Sequence, residues 1–173
     1  MPSRVRLIAY ATTFVTVIVL NVQFSFDFGS AGLVGLSMLL VPACIVLAIG
    51  LAVFRVYRPA KTLVGVAIMA ILGLIVANNL NWMKRKATEK TGQGIVAGLN
   101  AYKSANGRYP ADLTDLVPTY LPDIPATSMG LISHPYFYYS ADDTGGEFEL
   151  VFPCPIWMRC VYSSKNGVWY THD

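Results

Sequence analysis

Cys154 and Cys160 are the residues best placed for covalent chemistry, because only Pro155-Ile156-Trp157-Met158-Arg159 separates them. Two thiols so close either bond to each other, form part of a metal site, or sit together by chance. Zinc takes four ligands, and no histidine lies near this pair, so the spacing favours a disulfide. Closing so short a loop is worth roughly 2–3 kcal/mol in the loop-entropy picture. It also implies an oxidising compartment. Cys44 sits inside a long apolar run and reads as an inert buried thiol.

Other reactive residue types are present without the company that chemistry needs. His134 and His172 have no partner at ligand spacing, which predicts no metal site. Ser140, Ser163 and Ser164 lack the Gly-x-Ser-x-Gly setting of a nucleophile elbow. Asp142 and Asp143 precede Thr144-Gly145-Gly146 and read as turn residues rather than a catalytic pair. The sequence therefore predicts no enzyme and no cofactor. Aromatic residues are the more suggestive group: Tyr136, Phe137, Tyr138 and Tyr139, with Trp157, Trp169 and Tyr170. About half of such a set in a small sheet faces outward, and exposed aromatics favour binding. Tyr136, Tyr138, Trp157 and Trp169 are the candidate partner surface. A sheet core with ring contacts near a membrane is the alternative.

The elements that position these residues follow a long apolar region. Hydrophobic residues make up 54% of the chain and charged ones only 13%, against ~25% charged in typical soluble domains. Between Arg6 and Arg55 the only charged residue is Asp27. Apolar runs at about 7–24, 33–54 and 63–82 predict three transmembrane helices, since ~20 apolar residues cross a bilayer. Gly29 and Ala31 lie too far beyond Leu20 to mark signal cleavage, so the first span reads as uncleaved.

Basic residues flank every span: Arg4 and Arg6, then Arg55, Arg58 and Lys61, then Lys84, Arg85, Lys86 and Lys90. That distribution fits topology signals and lipid headgroups. Counting charges nearly ties the two orientations, and the cysteine pair breaks the tie toward a cytoplasmic N-terminus. Nucleic acid is a poor partner, because acids outnumber bases after Lys90. Pro42 should kink the second span. Ala70, Gly73 and Ala77 share one face of the third and predict close helix packing within the chain's own bundle. No span carries a charge near its middle, which argues against an ion pathway.

The third helix has no Gly/Pro-rich linker after it and should continue outward. Ile95, Leu99 and Tyr102 mark its apolar face, Gly92 and Gly94 offer a place for a bend, and Asn106-Gly107 ends it. Asp112 reads as the N-cap of a short helical turn bearing Leu113, Leu116 and Val117 and stopped by Pro118. Then comes alternation of period two: Phe148, Leu150 and Phe152 define one strand face, to which Val161, Val168 and Tyr170 are expected to add. Asp142–Gly146 joins segments 135–141 and 147–153, and Lys165-Asn166-Gly167 makes a second hairpin turn. The predicted fold class is membrane α plus α+β, a long helix on a small antiparallel sheet. Its parts are 1–61 with two spans, 62–105 with the third and its extension, and 106–173 with the sheet.

The run from Thr62-Leu63-Val64-Gly65 to Ala77, followed by Leu99, Tyr102, Asn106-Gly107-Arg108-Tyr109-Pro110, Leu113 and Leu116, resembles type IV pilins and type II secretion pseudopilins. The resemblance covers about residues 62–173. It implies a pilin-like domain in a bacterial inner (cytoplasmic) membrane protein, with the sheet periplasmic or extracellular. Members of that family are cut by a prepilin peptidase and carry a glutamate at the fifth position thereafter. Here Lys61 or Thr62 would be the start, Gly65 falls about where the glutamate belongs, and two spans come first. Asp123, Asp142 and Asp143 do not form the family's calcium loop. A structural or adaptor subunit of an envelope, secretion or pilus-like complex is the expectation, with lipid bilayer and a protein partner or second copy as contacts. A membrane-anchored sensor or ligand-binding ectodomain is the alternative, ahead of an intramembrane enzyme or transporter.

Overall fold

The computed structural model describes residues 3–24, 31–53, 57–131, 134–142, 144–155 and 158–172. They form two compact units, Met1–Asn81 and Trp82–Asp173.

The first unit is helical. It comprises α1 (Ser3–Phe24), α2 (Ala31–Val53) and the first half of α3 (Tyr57–Asn106). Among the described residues, two helices are long and apolar enough to cross a membrane, at Arg4–Gln23 and Pro59–Asn106. These are two of the three spans expected. In α2, which contains Pro42, the apolar stretch among the described residues is Met38–Leu51.

Polar side chains in the apolar helices bond back to their own backbone. Thr13 Oγ1 donates to Ala9 O at 2.8 Å and Asn21 Nδ2 to Val17 O at 2.9 Å. Asn81 Nδ2 reaches across to Asn21 O at 3.2 Å. Glycines of α3 take α1 at close range. A Cβ on Gly73 would lie 3.1 Å from Val17 Cγ1, and one on Gly65 would lie 2.5 Å from the Tyr10 hydroxyl. Ala70, Gly73 and Ala77 are all buried within this unit.

The second unit begins with the extension of α3, which runs without a break through Gly92 and Gly94 to Asn106. Gly92 is where the sheet comes nearest: its absent Cβ would sit 2.6 Å from the Trp169 ring and 3.3 Å from Phe137. One turn further on, Ile95 and Leu99 are fully buried. Gly107, at φ +78°, takes the left-handed position and donates its N–H to Lys103 O at 2.8 Å. Tyr109 then folds back on the helix, its hydroxyl donating to Asn100 Oδ1 at 3.0 Å and its N–H to Gly145 O at 2.9 Å. Asp112 caps a 3₁₀ turn, Leu113–Leu116, through a full capping box with Asp115.

The sheet is an antiparallel meander of β1 (Tyr138–Ala141), β2 (Phe148–Pro153), β3 (Arg159–Ser163) and β4 (Val168–His172) in sequential order. Phe148, Leu150 and Phe152 are all buried on the inward face. Register decides the rest, because directly paired residues share a face. Leu150 pairs with Tyr162, Phe152 with Cys160, and Tyr162 with Trp169. Thus Cys160, Tyr162 and Trp169 join the core side. Val161, Val168 and Tyr170, expected there, lie on the other face. A one-residue shift in phase exchanges every side chain of a strand.

Two glycines two residues apart give opposite expectations. Alanine is favoured over glycine in a helix by up to ~1 kcal/mol, and Gly94 has open space around it, so Gly94→Ala should stabilise the domain by that order. Gly92→Ala should destabilise it by ~1–3 kcal/mol, the usual effect of overpacking. Denaturation followed by tryptophan fluorescence in mild detergent checks both signs.

Candidate interaction face

The outward side of the sheet carries three parallel rows of side chains. In the middle row, Tyr138 pairs with Val151, Val151 with Val161 and Val161 with Tyr170, so one apolar row crosses all strands. The row above it is Ser140, Glu149, Ser163 and Val168, and the row below is Pro153, Arg159 and His172. Tyr138 is 66% exposed, Val168 56%, and Tyr136, just before β1, 68%. Val161 at the centre is only 5% exposed. An apolar centre with a polar border is the build of an interaction patch. β1 and β4 are edge strands that bear this row at their ends.

The sequence-proposed residues divide between the two faces. Tyr136 and Tyr138 point outward. Trp169 packs inward, edge-on to Phe152 with ring centroids 5.3 Å apart and against Tyr162 at 5.4 Å. Trp157 and Asp143 lie outside the described residues. Sequence reading missed Val151 as part of the row and placed Val161, Val168 and Tyr170 on the wrong side. The signal was available: a Cys154–Cys160 bond places Cys160 beside the inward set, which fixes the phase of β3.

Those cysteines are bonded, with Cα atoms 5.6 Å apart, and both are fully buried. Cys154 N–H donates to Met158 O at 2.8 Å, closing the β2–β3 connection. Cys44 is free and buried.

The other polar candidates serve local structure. Asp142 accepts hydrogen bonds from Thr144 Oγ1 at 2.6 Å, Gly146 N at 2.6 Å and Glu147 N at 3.1 Å. Its bond from the Thr144 side chain, helped by those backbone donors, holds its carboxyl below the usual range. Ser164 Oγ accepts from Phe148 N at 2.8 Å, tying β2 to the second hairpin. His134 Nδ1 lies 2.7 Å from Met129 O. Among the described residues no group of three metal-ligating side chains comes together. A small polar cleft of about 200 Å³ lies beside Arg108, Tyr109, Asp115 and Asp142.

Tyr139 faces inward and donates its hydroxyl to Pro110 O at 2.8 Å. Burial, reinforced by neighbouring Tyr109 and the nearby aspartates, pushes its phenol well above the ordinary value.

Two outcomes follow. Free-thiol labelling of unfolded, unreduced protein should find Cys44 alone, and replacing both Cys154 and Cys160 by Ser should cost roughly 2–3 kcal/mol of domain stability. For Tyr139, the folded form resists ionisation while the unfolded phenol ionises near pH ~10. Its contribution is therefore complete below that pH and is lost as pH rises through the folded value. Alkaline titration followed by phenolate absorbance should show this group ionising together with unfolding, and Tyr139→Phe should remove that step.

No family model, no curated protein and no solved structure matches this chain.

Proposed function

We propose that the chain is a polytopic membrane protein that holds a pilin-like domain outside the cytoplasm as a structural or adaptor subunit of an envelope complex. In this reading α2 is a third, Pro42-kinked span, the N-terminus is cytoplasmic, and the disulfide-bonded sheet is periplasmic or extracellular on a bacterial inner membrane. The single observation that carries the adaptor role is the outward row Tyr138–Val151–Val161–Tyr170, with Tyr138 exposed at one end of it. The basic residues beside each apolar run and the disulfide's need for an oxidising compartment support the orientation.

Assembly into a filament after cleavage near Thr62 is disfavoured by two features. Tyr10 of α1 lies across Gly65, the position where a pilin carries its glutamate. Extracting the first unit would also expose many large apolar side chains at ~1.5–3 kcal/mol each. A ligand-binding ectodomain is less well supported. The polar cleft of about 200 Å³ is smaller than the ~300–1,000 Å³ typical of small-molecule sites.

A periplasm-specific reporter fused after Asp173 should be active, and a stoichiometric protein partner should co-purify in mild detergent. Replacing Tyr138 and Tyr170 together by Asp should weaken that partner's retention by ten-fold or more, on the order of a loss at an aromatic hot spot. Lys165→Ala, in the hairpin turn, should leave it unchanged. Activity of a cytoplasmic reporter, or sheared filaments containing a chain that begins near Thr62, would overturn the reading.

A further inference from the structure

Within the first unit, α2 and α3 leave an apolar groove of about 550 Å³. Its floor consists of small side chains: Ala48 on α2, and Ala60 and Ala67 on α3, are all buried. Branched aliphatic walls rise on both sides, with Ile49 60% and Ile68 52% exposed. The groove exists because the floor positions are alanine. On α3 its lining recurs at Ala60, Val64, Ala67 and Ile71, one helical face.

One end is different. Among the described residues Lys61 is the only charged one lining the groove. Its ammonium makes no ion pair among the described residues. The sequence offers none nearby, since Asp27 is the only acid before Glu89. Among the described residues this cation at the end of an apolar groove has no counter-charge.

Dimensions choose the occupant. From Ala60 to Ile71 the groove follows α3 for ~16 Å at 1.5 Å per residue, about one leaflet's share of a ~30 Å hydrocarbon core. An apolar lining of that length with a single cation at one end matches an acyl chain that carries an anionic headgroup. We propose that this groove holds an acyl chain of an anionic glycerophospholipid, with the Lys61 ammonium against its phosphodiester. The proposal rests on the membrane reading above.

The test uses the full chain, extracted in mild detergent and exchanged against phosphatidylglycerol or phosphatidylcholine, with bound lipid counted by native mass spectrometry. Wild-type protein should retain one phosphatidylglycerol after washing and favour it over phosphatidylcholine. Lys61→Gln should reduce that preference about five-fold, the weight of one basic residue against an anionic headgroup. Ala67→Phe should abolish retention by filling the floor, and Ala48→Leu provides the same obstruction from α2 if Ala67→Phe does not fold. Helicity by circular dichroism confirms that the variants scored are folded. Equal retention of both lipids by the wild type, or unchanged retention in folded floor variants, overturns the proposal. So does a dimer that the floor variants abolish, since the groove would then seat a second copy. Resistance of the wild type to alkaline carbonate extraction separates the cases. An extractable chain defeats the membrane reading itself, whereas an embedded chain without the lipid defeats this inference alone.

Discussion

A continuous run of aromatic rings on the inward side of the sheet is the interaction on which the second unit depends. It passes from Phe137 to Phe152, Trp169, Tyr162, Phe148 and Tyr109, each neighbouring pair of ring centroids 4.6–5.9 Å apart. Aromatic pairs at such distances add ~0.5–1.5 kcal/mol each beyond their burial. One end of the run seats on α3 where Gly92 omits a side chain, and the other reaches Asn100 through the Tyr109 hydroxyl. Helix and sheet are thus joined at both ends of the same stack. Among the described residues Trp169 Nε1 is enclosed without a hydrogen-bond partner, a cost of ~1–3 kcal/mol that the ring's packing must offset.

Much of this architecture was legible because local rules and global fold agree. Gly107 ends the helix, Asp112 caps the following turn, and the two hairpin turns fall at Gly145 and Gly167, both with positive φ. Each is a position where one residue type satisfies a local backbone need. At Gly92, where a bend was an open alternative, the helix runs straight through. Local propensity treats it as a weak point, whereas the Trp169 ring makes it a contact, and no propensity scale contains a residue seventy-seven positions away.

The candidate face was legible only in part, and the failure is one of phase. Alternation in β2 is clear, since Phe148, Leu150 and Phe152 are divided by Glu149 and Val151. In β3 both Val161 and Tyr162 are apolar, and in β4 Val168, Trp169 and Tyr170 run together, so period two gives no preferred face. Only pairing resolves it. The Phe152–Cys160 pair, held next to the disulfide, brings Tyr162 and Trp169 inward and turns Val161 and Tyr170 outward. The same step removed Trp169 from the outward set and placed Tyr170 at the far end of the row that Tyr138 begins.

The polar side chains named above are largely committed to the structure around them. Asp142 is committed to three hydrogen bonds inside its own turn, Asp112 to the cap, Ser164 to β2 and Tyr139 to Pro110. In the helices Thr13 and Asn21 return to their own carbonyls. A buried polar group is costly unless paired, so in a chain this apolar such groups are drawn into structure first. What the sheet leaves outward is a row whose centre is already shielded and whose ends, Tyr138 and Tyr170, combine large apolar area with a polar tip. Such residues tolerate water when alone and gain from its removal when covered. A folded domain and the proposed docking face are therefore compatible in the same four strands, because the inward stack seats on α3 while Tyr138 stays exposed at one end of the outward row.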